Sequence, residues 1–234
     1  MSGSSRLWSR DELCRTMSFA ARGLYAIVDP EHCAGRDPLW VAEAILEGGC
    51  AVLQLRDKRG VDQATLELAL GLRKRCDRSG VPLVMNDRAD IAMLCGADGL
   101  HLGQTDLSLE EARAIVGDRW IGVSTHNRSE ARQAIAAGAA LLGFGPVFPT
   151  TTKTNPDPVV GLQALTSLVE EVEVPVVAIG GVDPSNASAV AATGARWGAC
   201  IGAVCGASDP AEAANALHRA LSDLHERDRD RSSS

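Results

Sequence analysis

The sequence lacks the features that mark nucleic-acid binders, membrane proteins and disulfide-bonded secreted proteins. Its 30 acidic residues outnumber its 23 basic ones, and the net charge of -7 argues against general nucleic-acid binding, which favours a basic face. No apolar stretch approaches the length that crosses a membrane. The seven cysteines form no C-x-x-C pair and no zinc spacing, and no secretory signal precedes them. We therefore expect a cytoplasmic protein with free thiols and small-molecule substrates, with no nucleic-acid or membrane partner. Whether the chain forms a homo-oligomer stays open.

A chain of 234 residues is long enough for one large core, and α/β barrels of this length fold as a single domain. The pattern predicts that domain over residues 23–225. The pattern also predicts an N-terminal extension at residues 1–22, with a short helix at about 11–17. Residues 226–234 contain only charged residues and serine, which predicts a disordered tail.

Short apolar runs alternate with helical patterns along the predicted domain. Eight runs predict buried strands, at 24–28, 51–55, 83–85, 99–102, 120–123, 140–144, 176–179 and 198–204. Helices are predicted between them, at 38–47, 62–79, 88–95, 127–137 and 162–171, with further helix starts marked by Ser108, Asp183-Pro184 and Asp209-Pro210.

This alternation indicates parallel βαβ units. Strands that are apolar throughout suit a sheet covered on both faces. A closed (β/α)8 TIM barrel is the predicted fold, and an open doubly wound sheet is the alternative. The dinucleotide fingerprint of such open sheets is missing, because Val28 leads directly to Asp29-Pro30-Glu31.

The stretch from Gly143 to Lys153 combines a buried strand end with phosphate-binding chemistry. Two glycines and two prolines are followed by three threonines and a lysine. Glycine lets a backbone approach a ligand, and hydroxyl and ammonium groups suit phosphate oxygens. Taken alone, the stretch fits an ordinary polar surface loop equally well.

The ends of the second, third and fourth strands carry charges that would meet on one rim of a barrel. Alternation places Gln54, Arg56 and Lys58 on one side after the second strand, where the cations could hold a diphosphate. Asp87 and Asp106 follow the next two strands and could hold magnesium together with that diphosphate. The alternatives are solvated surface charges for the cations and helix capping or Asx turns for the aspartates.

The remaining strand ends offer anion donors and no activated nucleophile. Ser124 could donate to a phosphate oxygen, and no third residue marks it as a nucleophile. His126 could carry a proton or simply be exposed, and His101 fits a structural role. The glycines after the last two strands suit a monophosphate, or merely a close turn with positive φ. Together these predicted anion-binding positions suit the joining of two phosphorylated small molecules with loss of diphosphate.

In order along the chain, these motifs resemble those of the thiamine-phosphate synthase family, over roughly residues 23–217. The matching segments are Gln54-Leu55-Arg56-Asp57-Lys58, Asn86-Asp87, His101-Leu102-Gly103-Gln104-Thr105-Asp106, Gly122-Val123-Ser124, residues 145–153 and Ala178-Ile179-Gly180-Gly181.

The resemblance implies a barrel that couples hydroxymethylpyrimidine diphosphate to a carboxylated thiazole phosphate in a dissociative, magnesium-assisted substitution. It implies magnesium binding by Asp87 and Asp106. It implies that the pyrimidine diphosphate is held by Gln54, Leu55, Arg56, Asp57, Lys58, Asn86, Ser124 and Lys153. It implies that the thiazole phosphate is held by Thr150, Thr151, Thr152, Gly181, Ile201 and Gly202. The candidates for catalysis are Arg56, Lys58, Ser124 and Lys153.

The chain departs from this family at the predicted monophosphate site. Family members usually carry Val-Ser where this chain has Ile201-Gly202, and Asp-Gly where it has Arg196-Trp197. The Gly202 N–H survives while a hydroxyl is lost. A thiazole tautomerase on the same fold and a non-catalytic ligand-binding barrel are the competing functions, and the complete diphosphate set argues against both.

Overall fold

A computed structural model describes residues 22–150, 152 and 157–222 of the chain. Eight parallel strands pair in sequence order and close into a barrel through hydrogen bonds between the first and the last. The strands are β1 (Gly23–Val28), β2 (Val52–Leu55), β3 (Leu83–Asn86), β4 (Gly99–Leu102), β5 (Trp120–Thr125), β6 (Leu141–Phe144), β7 (Val176–Ile179) and β8 (Trp197–Cys200). The predicted TIM barrel is confirmed, and closure excludes the open doubly wound sheet.

Helices follow the strands and cover the outside of the barrel. They are α1 (Pro38–Gly48), α2 (Asp62–Ser79), α3 (Ala89–Cys95), α4 (Leu109–Val116), α5 (Arg128–Ala136), α6 (Gly161–Glu171), α7 (Ala187–Ala192), α8 (Gly202–Cys205) and α9 (Pro210–Ser222). A short 3-10 helix, Pro30–His32, comes directly after β1. No helix in the described part of the chain is long and apolar enough to cross a membrane.

Two apolar clusters stabilise the barrel, one outside the sheet and one inside it. The outer cluster joins the sheet to the helices. In the inner cluster a large side chain fills the space that a small one leaves: a Cβ on Gly99 would come within 2.3 Å of the Trp120 ring. The inner members are Tyr25, Ile27, Val52, Val84, Trp120, Ala140, Leu141, Val177, Trp197 and Ala199. The polar residues of the site begin above this layer.

Several predicted helix starts are confirmed by their caps. The Ser108 side chain and Glu111 form a reciprocal capping box at the start of α4. The Asn127 side chain accepts from the Glu130 N–H at the start of α5. Asp209 accepts from the N–H groups of Ala211 and Glu212 at the start of α9.

Two predictions of element boundaries are wrong. The eighth strand ends at Cys200, and the rest of the predicted run, 201–204, turns into α8. An unbroken apolar run fits a buried strand and a buried helix equally well, so the pattern could not locate this change. The helix predicted to start at Asp183-Pro184 begins at Ala187, because the Asp183 carboxylate accepts from the Ser185 N–H and closes a turn first.

The predicted free thiols are confirmed for the described cysteines, all of which are buried: Cys33, Cys50, Cys76, Cys95, Cys200 and Cys205. Cys14, the predicted extension helix and the predicted tail from residue 226 lie outside the described residues.

Candidate active site

A cavity of about 1210 Å³ opens at the carboxyl ends of the strands, and every strand of the barrel contributes to its lining. Most of the residues predicted for the site line it: Gln54, Arg56, Lys58, Asn86, Asp87, Asp106, Ser124, Thr150, Thr152, Gly181, Ile201 and Gly202. Thr151 and Lys153 lie outside the described residues. The side chains from distant segments therefore converge on one rim, as parallel strands require.

Leu55 and Asp57 do not line the cavity, although the resemblance includes them among substrate-binding residues. Leu55 is fully buried in the outer cluster. The Asp57 carboxylate accepts from the Arg59 side chain and from the Thr65 hydroxyl. These bonds hold the pKa of Asp57 down to about 2, against the opposing effect of burial. Alternation along the chain turns Asp57 away from Arg56, so a substrate contact would have to come from backbone atoms.

Arg56 is held at the rim by contacts at both ends of the residue. Its backbone N–H donates to the Val28 carbonyl at 2.9 Å. Its guanidinium Nη1 donates to Oδ2 of Asp29, a carboxylate that is completely buried. The Arg56 side chain keeps 19% of its area exposed, which leaves it accessible from the cavity.

Lys58, Asp87 and Asp106 form a second charged group beside Arg56. Lys58 Nζ donates to Oδ2 of Asp87, and Asp106 accepts from the Gly103 N–H at 2.7 Å. Burial, together with the hydrogen bond to the Asp106 carboxyl, raises the pKa of Asp87 to about 6 against the lowering effect of Lys58. Burial alone would raise the pKa of Asp106, but its bonds with Asp87 and the Gly103 N–H lower it. The two carboxyl groups thus shift each other's pKa in opposite directions.

This carboxylate pair fits a magnesium ion by the chemistry of its donors. Within the ranges that the structure describes, no cluster of three or more His, Cys, Asp or Glu side chains could hold a metal ion by itself. Magnesium needs fewer, since it binds through one or two carboxylates and completes its shell with water and substrate phosphates. A cation held by both carboxyl groups would also relieve the repulsion between Asp87 and Asp106.

The floor of the cavity carries hydrogen-bonding side chains that project from the strands. Gln54 Nε2 donates to the Tyr25 hydroxyl at 2.8 Å, and both residues are almost fully buried. His101 Nε2 lies 2.9 Å from the Ser124 hydroxyl. A Cβ on Gly143 would come within 3.2 Å of the His101 ring, so the small residue makes room for the imidazole. Ser124 is therefore oriented by a histidine from the neighbouring strand.

His126 is engaged through both ring nitrogens. Nδ1 lies 2.6 Å from the Gly145 carbonyl, so this nitrogen carries the proton and donates. Nε2 lies 3.2 Å from the Asp157 carboxylate. These two contacts place His126 to hold the loop after β6. The sequence pattern alone could not distinguish this role from that of an exposed histidine.

The glycines after β7 are required by packing between two loops. The Phe148 N–H donates to the Gly180 carbonyl at 3.0 Å. A Cβ on Gly180 would lie 2.5 Å from the Pro146 Cβ, and one on Gly181 would lie 2.4 Å from the Pro149 carbonyl oxygen. Both glycines have positive φ. The close-turn interpretation is therefore correct for this pair, and it leaves the phosphate interpretation open because Gly181 also lines the cavity.

Gly202 is in a different situation. It begins α8 with a φ outside the left-handed region, and a Cβ would meet no atom within 4 Å. The first turn of a helix has N–H groups without intrahelical partners, and a short helix after β8 is a usual phosphate site in this fold. Nothing in the packing or the backbone of Gly202 demands glycine.

Sequence reasoning missed Tyr25, Asp29 and Asp157 as neighbours of the site. Asp29 follows β1 directly, so the rule applied to the other strand ends could have found it. Tyr25 lies within an apolar run, where only the inward direction of alternate residues would have marked it.

A closed barrel of eight parallel strands, with a polar cavity at the strands' carboxyl ends, is the architecture of (β/α)8-barrel enzymes. The family model for thiamine monophosphate synthase matches residues 24–204. The thiamine-phosphate synthase of Chloroflexus aurantiacus is 42% identical over 204 residues, which cover 87% of this chain and 94% of that protein. That of Syntrophomonas wolfei is 43% identical over 187 residues, covering 80% and 90%. This chain belongs to the thiamine monophosphate synthase family and is a transferase.

Solved structures agree. Thiamine phosphate pyrophosphorylase from Pyrococcus furiosus is similar with a TM-score of 0.79 and 35% identity, over 85% of this chain and 95% of that one. A 3-hexulose-6-phosphate synthase is similar with a TM-score of 0.63 at 21% identity, which shows a shared fold alone.

Proposed function

We propose that the chain couples hydroxymethylpyrimidine diphosphate to a carboxylated thiazole phosphate, giving thiamine phosphate and diphosphate. The observation that carries the proposal is the grouping of Arg56 and Lys58 with the Asp87–Asp106 carboxyl pair in one cavity. Two cations beside a magnesium-type carboxylate pair suit a diphosphate that leaves with growing negative charge.

The two phosphate groups are assigned to opposite sides of the rim. Residues after β2, β3 and β4 take the pyrimidine diphosphate, with Gln54, Asn86 and Ser124 around the ring and its first phosphate. The loops after β6, β7 and β8 lie across the barrel and take the thiazole phosphate. Thr150, Thr152, Gly181, Ile201 and Gly202 line that side, and Thr151 joins them by the sequence resemblance. The same resemblance assigns Lys153, from the loop after β6, to the pyrimidine diphosphate.

The proposed substitution is dissociative. The bond between the pyrimidine methylene carbon and the diphosphate oxygen breaks first, and the thiazole nitrogen then attacks the pyrimidine cation. Arg56, Lys58 and Lys153 stabilise the departing diphosphate, while Ser124 orients it. Asp87 and Asp106 would hold Mg²⁺, which when bound supplies further neutralisation of phosphate charge. This order of events needs no activated nucleophile, and the sequence pattern marks none at Ser124.

The test is to mix purified protein with both substrates and magnesium and to measure diphosphate release. We expect diphosphate and thiamine phosphate in equal amounts, with no product in excess chelator or with Asp87→Ala, whose folding is checked by circular dichroism. Full turnover in chelator would contradict the metal assignment. Isomerisation of the thiazole phosphate without coupling would instead favour the tautomerase.

We propose a cytoplasmic location on the basis of the buried free thiols, which a reducing compartment preserves. Retention of the described thiols as reduced cysteines in protein isolated under trapping conditions is the expected result.

A further inference from the structure

A buried carboxylate, that of Asp29, lies directly behind the Arg56 guanidinium. Asp29 follows the last residue of β1 and has no solvent exposure. Its Oδ2 accepts from Arg56 Nη1, and its Oδ1 lies 3.3 Å from His32 Nδ1. A buried carboxylate is stable only when it is paired, so Asp29 and Arg56 constrain each other.

Asp29 also caps the 3-10 helix that follows it, and this local role does not explain the ion pair. The cap uses Oδ1, which accepts from the Glu31 N–H at 3.0 Å. Asparagine or serine could supply the same acceptor. The other oxygen, Oδ2, accepts from Arg56, which lies 27 positions away in the chain.

The ion pair has a cost for the proposed reaction, because a negative charge beside Arg56 weakens its attraction for a diphosphate. The compensating benefit is that the ion pair fixes the direction of the Arg56 guanidinium. Arg presents its N–H donors in a rigid planar fork, and holding Nη1 on Asp29 fixes the plane while other N–H groups stay available to a ligand. Donors that are already oriented need no reorganisation as charge develops on the leaving group.

We infer that Asp29 is a positioning residue, which acts through Arg56 to orient its guanidinium toward the leaving diphosphate. This inference rests on the proposed function. It predicts a particular kinetic signature for removal of the charge: the reaction slows, while binding of the negatively charged substrate is not weakened, since the repulsion from Asp29 is lost as well.

The test compares Asp29→Asn with Asp37→Asn. Asp37 is a matched control, since it caps α1 through the Leu39 N–H and is not part of the cavity lining. For Asp29→Asn we expect kcat to fall by about 10- to 100-fold, the scale of a misplaced catalytic group, with KM for the pyrimidine diphosphate unchanged or lower. Asp37→Asn should leave both constants within about 2-fold of the wild type.

A double-mutant cycle separates positioning from general damage. In an Arg56→Ala background, Asp29→Asn should change kcat by less than about 2-fold, because the group it positions is gone. If Asp29→Asn does not fold, Asp29→Ser takes its place in every measurement, because serine also supplies an acceptor for the cap.

Three outcomes overturn the inference. They are an unchanged kcat, a loss confined to KM, and an equal loss of kcat with and without Arg56. Absence of coupling by the wild-type chain would remove the proposed function and this inference together, whereas normal coupling with any of the three outcomes removes the inference alone.

Discussion

The Arg56 side chain lines the cavity while its Nη1 donates to a buried carboxylate. If it stabilises charge on the leaving diphosphate, Arg56→Ala should lower kcat by roughly 10²–10³-fold, as for other oriented charge stabilisers. Arg59→Ala is the matched control, since that guanidinium pairs with Asp57 and does not line the cavity. Steady-state kinetics check the prediction, and a change in KM alone would make Arg56 a ground-state binder. The sequence predicts the same loss for Lys153.

Gly202 occupies open space at the predicted monophosphate side. Gly202→Ser should add a hydroxyl bond to the phosphate, worth about 1.5–3 kcal/mol, and so lower KM for the thiazole phosphate by about 10-fold or more. KM for the pyrimidine diphosphate should not change, because the two sides act independently. Gly202→Ala, which adds the Cβ without the hydroxyl, should leave both values unchanged. Weaker thiazole binding by the serine variant would contradict the prediction, and no effect would mean that water already replaces the hydroxyl.

The Asp57 carboxylate makes the free energy of unfolding depend on pH. Its pKa of about 2 in the folded chain lies below the value of about 3.9 expected after unfolding. Its stabilisation is therefore complete above the unfolded pKa and is lost as pH falls through the folded one. Asp57→Asn should lower the free energy of unfolding at pH 7 by on the order of 1 kcal/mol, since the exposed side of Arg59 is screened by solvent. The difference should shrink in urea titrations at pH 3. A constant difference would show that the charge of Asp57 does not matter.

Among the elements of the fold, the loops after β6 and β7 pack against each other, so each limits which residues the other can hold. Gly138 and Gly180 have nearly the same φ, +93° and +94°, but a Cβ meets nothing at Gly138 and the Pro146 backbone at Gly180. Gly138→Ala should cost only backbone strain, about 1–2 kcal/mol. Gly180→Ala should cost a further 1–3 kcal/mol or so from overpacking. Urea unfolding of both variants checks this, and equal losses would contradict the loop contact.

Elements bounded by strong local signals could be predicted from the sequence. The α2 helix, Asp62–Ser79, and the β4 and β7 strands have the predicted bounds, because polar or glycine residues stop each pattern. The change from β8 to α8 could not be predicted, since Ile201 and the residues after it stay apolar while the backbone turns.

The same physics explains what could be predicted of the site. Residues that follow a strand meet at one rim, which was enough to bring Arg56, Asp87 and Asp106 together. Alternation would have excluded the Asp57 side chain, had it been applied to each residue of the motif. The contact between Gln54 and Tyr25 depends on the register of β1 against β2, which no local pattern reveals.

At the scale of the whole molecule, the last helix completes the outer cluster. Leu217 and Leu221 of α9 are buried, and the Leu24 N–H at the start of β1 donates to His218 Nδ1 at 3.3 Å. Buried leucines contribute about 1.5–3 kcal/mol each, against a total stability of about 5–15 kcal/mol for a domain. A chain cut after Ser208 should therefore show no cooperative unfolding transition.

A chain cut after Ser222 is the matched control for that truncation. It lacks residues 223–234, which lie outside the described part of the chain and include the tail predicted to be disordered. Its urea midpoint should equal that of the full chain. A cooperative transition in the shorter truncation, measured by circular dichroism, would contradict the role given to α9.

The pairing of β1 with β8 also has a consequence for how the protein is made. Translation delivers β1 first and β8 only after most of the chain, yet Gly23 pairs with Trp197 and Tyr25 with Ala199. Until β8 emerges from the ribosome, one edge of β1 has no partner, and such an edge can pair with other chains. We therefore expect the yield of folded protein in a cell to depend on chaperones more than its final stability suggests.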